Sequence, residues 1–357
     1  MKSDPDFLDI LLKKASEHRQ PASGMFELTK RCNLTCTMCY VAEHACSKTA
    51  KDKEMTAEEW VRIAEDGVQN GLVFITLTGG EIFLRPDFFR IYEPIRKMGT
   101  VLNLYSNGNL VTKSAAERLS AAPPNKIEIT LYGATQGTYE TVTKNPKGFK
   151  LCCDGIENLL TVGIKPVLKT TIVQQNKHEL EAMKKMAHDW GLPFLSSWLL
   201  TERTDGAVSA IKESRLTAEE IIRLEKEDNA SSRELYELSL QYNKSETSRT
   251  RDEIFYCSAG KSSFMISADG KMNACLDLPL PAAPVLELGF KGAWEKVCEY
   301  IDESTKKTST CSTCNLNSIC NTCPAASYLE SKTLNEPVPY LCEVTKQRKE
   351  AFGIKEL

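Results

Sequence analysis

Three cysteines occur at the spacing C-x3-C-x2-C in the stretch Glu27-Leu-Thr-Lys-Arg-Cys32-Asn-Leu-Thr-Cys36-Thr-Met-Cys39-Tyr40. The stretch continues an apolar-alternating run at residues 25–28, which is typical of a strand, so we expect the cysteines on the loop that leaves this strand. Three thiolates on one loop can hold three irons of a cubane iron–sulfur cluster. The fourth iron would then have no protein ligand close in sequence and could bind a substrate or a cofactor.

The bulk properties indicate a cytoplasmic protein of two or three domains. The chain has 357 residues, 14 cysteines, a net charge of −3 and interspersed charges of both signs, so no nucleic-acid partner is expected. It has neither a secretory signal nor an apolar run of about 18 residues, so no membrane partner is expected either. Because the cytoplasm keeps thiols reduced, metal or cluster ligation explains the cysteines better than disulfides do.

The cysteine loop, with the bulky Met38 before its third cysteine, resembles that of the radical S-adenosylmethionine (SAM) enzymes. The resemblance implies that Cys32, Cys36 and Cys39 hold a [4Fe–4S] cluster whose open iron binds the amino and carboxylate groups of SAM. It also implies that reductive cleavage of SAM yields a 5′-deoxyadenosyl radical, which takes a hydrogen atom from the substrate. The alternative is a zinc knuckle completed by His44 or Cys46.

An alternation of strands and helices follows the first strand, and a helix is expected before it, within residues 1–23. The predicted strands are Met25–Thr29, Leu72–Thr78, Val101–Tyr105, Lys126–Leu131, Pro166–Val173 and Pro193–Leu199. The predicted helices between them are Glu58–Asn70, Asp87–Met98, one ending at Glu117, Gly148–Val162 and His178–Trp190. Six such units predict a parallel α/β fold over residues 24–200, a partial (βα)6 TIM-like barrel. The radical SAM core has that shape.

Two motifs lie at the carboxyl ends of predicted strands, where reactive groups of parallel folds collect. Gly79-Gly80-Glu81 resembles the G-G-E element of the family, in which backbone and carboxylate hold the SAM ammonium. Ser106-Asn107-Gly108 resembles the S/T-N-G element near the SAM ribose.

The remaining SAM contacts implied by the resemblance come from later in the core. Thr130 stands where many relatives have a serine that reaches the SAM carboxylate or ribose. About a dozen residues later, many relatives have an arginine that pairs with the SAM carboxylate; here Val142 occupies that spacing and Lys144 is the nearest cation. Lys169 also occupies a family-like position. Met38 completes the predicted cofactor-binding set.

Residues 201–250 are polar, with helical periodicity from Leu216 to Tyr242, and are predicted to bridge to a cysteine-rich domain at 251–357. Ser267-Ala-Asp-Gly270-Lys predicts a hairpin turn. The domain contains seven cysteines in a characteristic spacing: Cys257, Cys275, Cys311, Cys314, Cys320, Cys323 and Cys342. A zinc ribbon is the alternative to clusters here. Of the other four cysteines, Cys152, Cys153 and Cys298 lie on predicted helices and are expected to pack in the core, and Cys46 is left over.

This array resembles the SPASM extension of radical SAM enzymes, which binds two auxiliary [4Fe–4S] clusters, giving three clusters in all. The resemblance assigns Cys257, Cys275 and Cys323 to the first auxiliary cluster. It assigns the second to four cysteines: Cys311, Cys314, Cys320 and Cys342. Relatives with eight cysteines have one more after the first, so the first auxiliary cluster would keep an open iron.

The resemblance implies a radical oxidoreductase acting on a ribosomally synthesised precursor peptide, with an intramolecular thioether or C–C crosslink as the leading expectation. A small-molecule or side-chain oxidation is the second reading, and a non-catalytic iron–sulfur or zinc protein is the third. An external electron donor such as flavodoxin or ferredoxin is expected. Because no leader-binding domain is expected ahead of residue 24, a separate leader-peptide-binding protein is a further expected partner.

Overall fold

The computed structural model describes residues 7–40, 43–207, 209–227, 254–255, 257–305, 309–311, 314–316, 319–320 and 322–353. Its core is a sheet of six parallel strands that pair in chain order. The strands are β1 (Ser23–Thr29), β2 (Phe74–Gly79), β3 (Val101–Ser106), β4 (Lys126–Thr130), β5 (Val167–Thr171) and β6 (Phe194–Ser197). The predicted parallel α/β core is confirmed.

Helices precede the sheet and join its strands. They are α1 (Phe7–Glu17), α2 (Ala57–Gln69), α3 (Phe88–Lys97), α4 (Lys113–Ala121), α5 (Gln136–Thr143), α6 (Gly148–Thr161) and α7 (Leu180–Asp189). Thr56 and Glu59 form a capping box at the start of α2. Helix α5 was not predicted, because its sequence QGTYETVT has a mixed polar composition with little helical periodicity.

Apolar side chains on one face of the sheet pack against the helices. Phe26 and Leu28 of β1 are fully buried, and the Phe26 ring stacks 5.2 Å from the Trp60 ring of α2. Because side chains alternate across a strand, the position between them turns to the opposite face, where β1 carries Glu27. The polar residues Glu128 of β4 and Lys169 of β5 lie at alternate positions of their strands in the same way.

The predicted C-terminal hairpin is present and extends the sheet. It consists of β7 (Ser263–Ile266) and β8 (Lys271–Asn273), and β9 (Ala283–Pro284) pairs with β8. Strand β7 pairs parallel to β1, so the nine strands run in the order β9-β8-β7-β1-β2-β3-β4-β5-β6. The sheet therefore crosses the expected domain boundary near residue 250.

In the described residues that follow there is a short helix at Ile211–Ser214 and then α8 (Ala218–Glu227), α9 (Val285–Thr305), α10 (Pro324–Ser331) and α11 (Pro339–Ala351). Helix α8 begins with a capping box formed by Thr217 and Glu220. Of the predicted bridging helix, residues 228–242 lie outside the described part of the chain. In the part that the structure describes, no helix has the length and apolarity of a membrane span.

Candidate active site

A cavity of about 320 Å³ lies at the carboxyl ends of the parallel strands. It brings together ten of the sequence-predicted site residues: Cys32, Cys36, Met38, Cys39, Gly79, Gly80, Ser106, Asn107, Thr130 and Lys169. Two predicted residues, Glu81 and Lys144, are not among those that line it. The cavity wall is completed by side chains of the second half of the chain, from Leu199 to Thr201 and at Leu276 and Asp277.

The cysteine loop is held at both ends by hydrogen bonds. At its start, the guanidinium of Arg31 donates to both carboxylate oxygens of Glu54, at 2.7 and 2.9 Å. Further on, the backbone N–H groups of Thr35 and Thr37 donate to carbonyls at the end of α5, at 3.0 and 3.1 Å. Helix α5, which the sequence did not predict, therefore supports the cysteine loop.

Gly79 and Gly80 let the end of β2 approach the cysteine loop. A Cβ atom on Gly79 would lie 2.3 Å from the carbonyl oxygen of Thr29, and one on Gly80 would lie 2.3 Å from that of Arg31. Gly80 N–H and Glu81 N–H donate to these same two carbonyls, at 2.7 and 2.9 Å. The glycines are thus required for packing of the loop against β2, in addition to the SAM contact that the motif predicts.

The Glu81 side chain is fully buried and does not itself line the cavity. Its carboxylate accepts hydrogen bonds from the Ser106 hydroxyl at 2.9 Å, the Asn107 N–H at 2.8 Å and the Phe83 N–H at 3.1 Å. Burial raises its pKa to about 7. These hydrogen bonds fix the end of β3 to the carboxylate, and the contact of Glu81 with the SAM ammonium stays a prediction.

The two candidate cations differ in position. Lys144 is exposed and caps the C-terminal end of α5 with a left-handed backbone, φ 59°. Lys169 lines the cavity, where its Nζ lies 3.0 Å from Glu128 Oε2 and 3.4 Å from the centre of the Tyr105 ring. Burial lowers the pKa of Lys169, and Glu128 opposes that shift. Of these two lysines, Lys169 therefore lines the cavity, whereas Lys144 at the end of α5 is exposed to solvent.

The three loop cysteines fit an iron–sulfur cluster. They line one cavity, and burial raises the pKa of Cys32 to about 12 and that of Cys36 well above its usual range, so thiolates there need a metal to balance them. N–H groups of Leu34 and Asn107 point at Cys32 Sγ, at 3.4 and 3.6 Å. Among the described residues, no three His, Cys, Asp or Glu side chains converge on a position that could hold a single metal ion. A cubane cluster does not need such a convergence, because each thiolate ligates a different iron.

Sequence reasoning missed Asp277, the one carboxylate among the described residues that line the cavity. Its Oδ1 accepts a hydrogen bond from the Thr201 hydroxyl at 3.3 Å, and burial raises its pKa. Its charge also acts on Cys275 and Cys323. The available signal was its position two residues after Cys275, which the hairpin carries to the cavity.

The pKa shifts of four C-terminal thiols, Cys275, Cys320, Cys323 and Cys342, indicate two groups of neighbouring cysteines. Cys323 interacts with Cys275 and with Cys257. The second group interacts through Cys320 and Cys342 and consists of Cys311, Cys314, Cys320 and Cys342. These groups coincide with the two ligand sets that the resemblance implies, and the clusters themselves remain a prediction. Of the four remaining cysteines, Cys152 is buried in the core, Cys153 and Cys298 are partly buried, and Cys46 is exposed.

Comparisons with known proteins give a family and a fold. Residues 26–189 match the radical SAM superfamily. The AdoMet-dependent heme synthase of Methanosarcina barkeri is 24% identical over 339 residues, covering 88% of this chain and 94% of that protein. The sporulation killing factor maturation protein SkfB of Bacillus subtilis is 26% identical over 267 residues, covering 75% of this chain and 63% of that protein.

Among solved structures, Streptococcus suis SuiB bound to S-adenosylmethionine matches with a TM-score of 0.69 at 16% identity, covering 96% of this chain and 84% of that chain. SuiB bound to its precursor peptide SuiA matches with a TM-score of 0.65 at 15% identity, covering 97% and 84%. The cysteine loop, the cavity at the strand ends and the superfamily match agree with one another. Residues 26–189 therefore match the radical SAM superfamily, and the chain has the fold of SuiB.

Proposed function

We propose that this enzyme is a peptide maturase that installs an intramolecular thioether or C–C crosslink in a ribosomally synthesised precursor peptide. Two relatives support a peptide substrate. SkfB is a maturation protein. SuiB has been solved with its precursor peptide SuiA bound, and that structure matches 97% of this chain. When bound, the cluster and SAM supply the radical that abstracts a substrate hydrogen atom. Forming the crosslink then removes a second hydrogen from the peptide as a proton and an electron.

On the SAM side of the cavity, the chain's own residues would bind and orient the cofactor. The backbone of Gly79 and Gly80 faces the position expected for the ammonium group, and Ser106, Asn107 and Thr130 lie at the next two strand ends. Met38 is 8% exposed and supplies an apolar surface. Lys169 is the cation we assign to the SAM carboxylate, because it lines the cavity and Lys144 does not.

The observation that carries the proposal is the part of the cavity wall that the C-terminal region supplies. Leu276 and Asp277 line it, and they directly follow Cys275 of the first auxiliary group. A peptide lying against this wall would contact both the SAM site and the first auxiliary cysteines. Asp277 would bind a polar group of the substrate there, and an auxiliary cluster would accept the electron that crosslinking releases.

A second candidate is radical oxidation of a small molecule. It is favoured by the heme synthase relative, which this chain matches over 94% of that protein's length. The third hypothesis, a non-catalytic iron–sulfur or zinc protein, does not agree with the match of residues 26–189 to the radical SAM superfamily.

The test uses anaerobically reconstituted enzyme, SAM, a low-potential reductant or reduced flavodoxin, and synthetic peptides encoded by small open reading frames beside the gene. A crosslinked peptide loses two hydrogen atoms in mass and yields a linked fragment pair on tandem mass spectrometry. We expect wild type to form it, and Asp277→Asn to cleave SAM while forming little product. Turnover of a porphyrin precursor with no mass change in any peptide would overturn the proposal in favour of the second candidate. Full turnover of a cysteine-free peptide would exclude the thioether.

A further inference from the structure

Asn107 lies between the end of β3 and the first cysteine of the loop, and its side chain is 5% exposed. Its Nδ2 is 2.8 Å from Asn33 Oδ1 and 3.6 Å from Cys32 Sγ. Its Oδ1 accepts a hydrogen bond from the Asn109 N–H at 2.9 Å. Because an N–H donor occupies the oxygen, the amide can be oriented in one way only, with Nδ2 toward the sulfur.

The same contacts use up both hydrogens of the amide. One goes to Asn33 and the other to Cys32, which leaves a single lone pair on Oδ1 for any contact with SAM. The backbone is fixed as well, because Asn107 N–H donates to the buried Glu81 carboxylate at 2.8 Å. The asparagine is therefore built to face the cysteine sulfur more than the cofactor.

We propose that Asn107 tunes the reduction potential of the SAM-binding cluster by donating an N–H···S hydrogen bond to Cys32, with Glu81 and Asn109 holding it in position. This inference rests on Cys32, Cys36 and Cys39 holding that cluster, and it is independent of the substrate. Reduction adds negative charge that spreads onto the thiolate ligands, so an N–H dipole stabilises the reduced form more than the oxidised form. Asn107 is thus a positioning and tuning residue, and it makes the cluster easier to reduce.

The Leu34 N–H also points at Cys32, at 3.4 Å, but it belongs to the backbone and is retained in any side-chain variant. A substitution of Asn107 therefore isolates the effect of its side-chain N–H on Cys32 Sγ. Ser106 provides a matched control, because its hydroxyl donates to the same Glu81 carboxylate and, among the described residues, forms no hydrogen bond with a cysteine sulfur.

The experiment is a redox titration of the full-length, cluster-loaded enzyme, followed by electron paramagnetic resonance without SAM or peptide. The signal of the SAM-binding cluster is identified as the one that changes when SAM is added to a parallel sample. Wild type is compared with Asn107→Leu, Asn107→Asp and Ser106→Ala, after iron and sulfide per chain are shown to be equal.

At the wild-type midpoint, we expect the reduced-to-oxidised ratio of Asn107→Leu to fall about threefold or more, a shift of roughly 30 mV to lower potential for a one-electron couple. Asn107→Asp should fall further, because it places a negative charge near the thiolate, and Ser106→Ala should match wild type. Equal ratios in wild type and Asn107→Leu would overturn the inference, as would an equal fall in Ser106→Ala.

Loss of the SAM-binding cluster from both Asn107 variants, with retention in Ser106→Ala, would also overturn it by assigning Asn107 to cluster assembly. Failure of the peptide proposal would leave these potentials unchanged, and unchanged potentials would leave the peptide proposal standing.

Discussion

Lys169 reaches the cavity as a cation held between a carboxylate and an aromatic ring. If it binds the SAM carboxylate, Lys169→Met should weaken SAM binding by about tenfold or more, because a charge-assisted hydrogen bond contributes roughly 1.5–3 kcal/mol. Lys144→Met is the matched control, since Lys144 is exposed at the end of α5. Equilibrium binding of SAM to the cluster-loaded enzyme measures both. Equal losses in the two variants, or a loss in Lys144→Met alone, would return the assignment to Lys144.

Glu27 makes stability depend on pH. The residue is 1% exposed, and burial raises its pKa from 4.5 to about 7, against an opposing effect of Lys30. The unfolded chain loses this proton at lower pH than the folded chain, so Glu27 reduces stability as pH rises from 4.5 to 7. We expect Glu27→Gln to be more stable than wild type at pH 8, by up to about 3 kcal/mol, and nearly equal near pH 4.5. Thermal unfolding at both pH values checks this; a pH-independent difference would contradict it.

At the scale of secondary-structure elements, the contact between the end of β2 and the cysteine loop tolerates no side chain at Gly80. Gly80→Ala would force its Cβ against the Arg31 carbonyl and displace the loop, at a cost of about 1–3 kcal/mol typical of overpacking. We expect less iron per chain and a lower melting temperature. Gly137→Ala in α5 is the control, because a Cβ there meets nothing within 4 Å. Normal iron loading of Gly80→Ala would show that the loop can shift without cost.

Elements differed in how well the sequence revealed them. The six strands and the hairpin were predictable, because apolar runs and turn residues are local signals. Pairing of β7 with β1 joins residues about 240 positions apart, from Ser23 to Ser263, and no local pattern encodes such a contact. The residues of the candidate active site show the same difference between local signals and long-range contacts. The cysteines and cavity glycines were found by motif, whereas the inward turn of Glu81 and the approach of Asp277 depend on tertiary packing.

At the scale of the whole molecule, an ion pair joins the bridging segment to the C-terminal region. Arg348 of α11 donates to both carboxylate oxygens of Glu225 in α8, at 2.6 and 3.0 Å, and the two side chains are 3% and 11% exposed. Removing one partner of a buried pair leaves an uncompensated charge, so Glu225→Gln should cost about 3 kcal/mol. Asp154→Asn, in the exposed pair with Lys150, should change stability little. Equal melting temperatures of wild type and Glu225→Gln would contradict this.

We expect this whole architecture to serve the cleavage of SAM at a cluster held by Cys32, Cys36 and Cys39. Formation of 5′-deoxyadenosine by anaerobically reconstituted enzyme, with SAM and a low-potential reductant, tests it most directly beside Cys32→Ala. We expect the product from wild type, with the proposed peptide supplied, and none from the variant, because three thiolates are needed to leave one iron open for SAM. Equal formation by both proteins, or none by wild type with a full iron load and substrate present, would contradict the account.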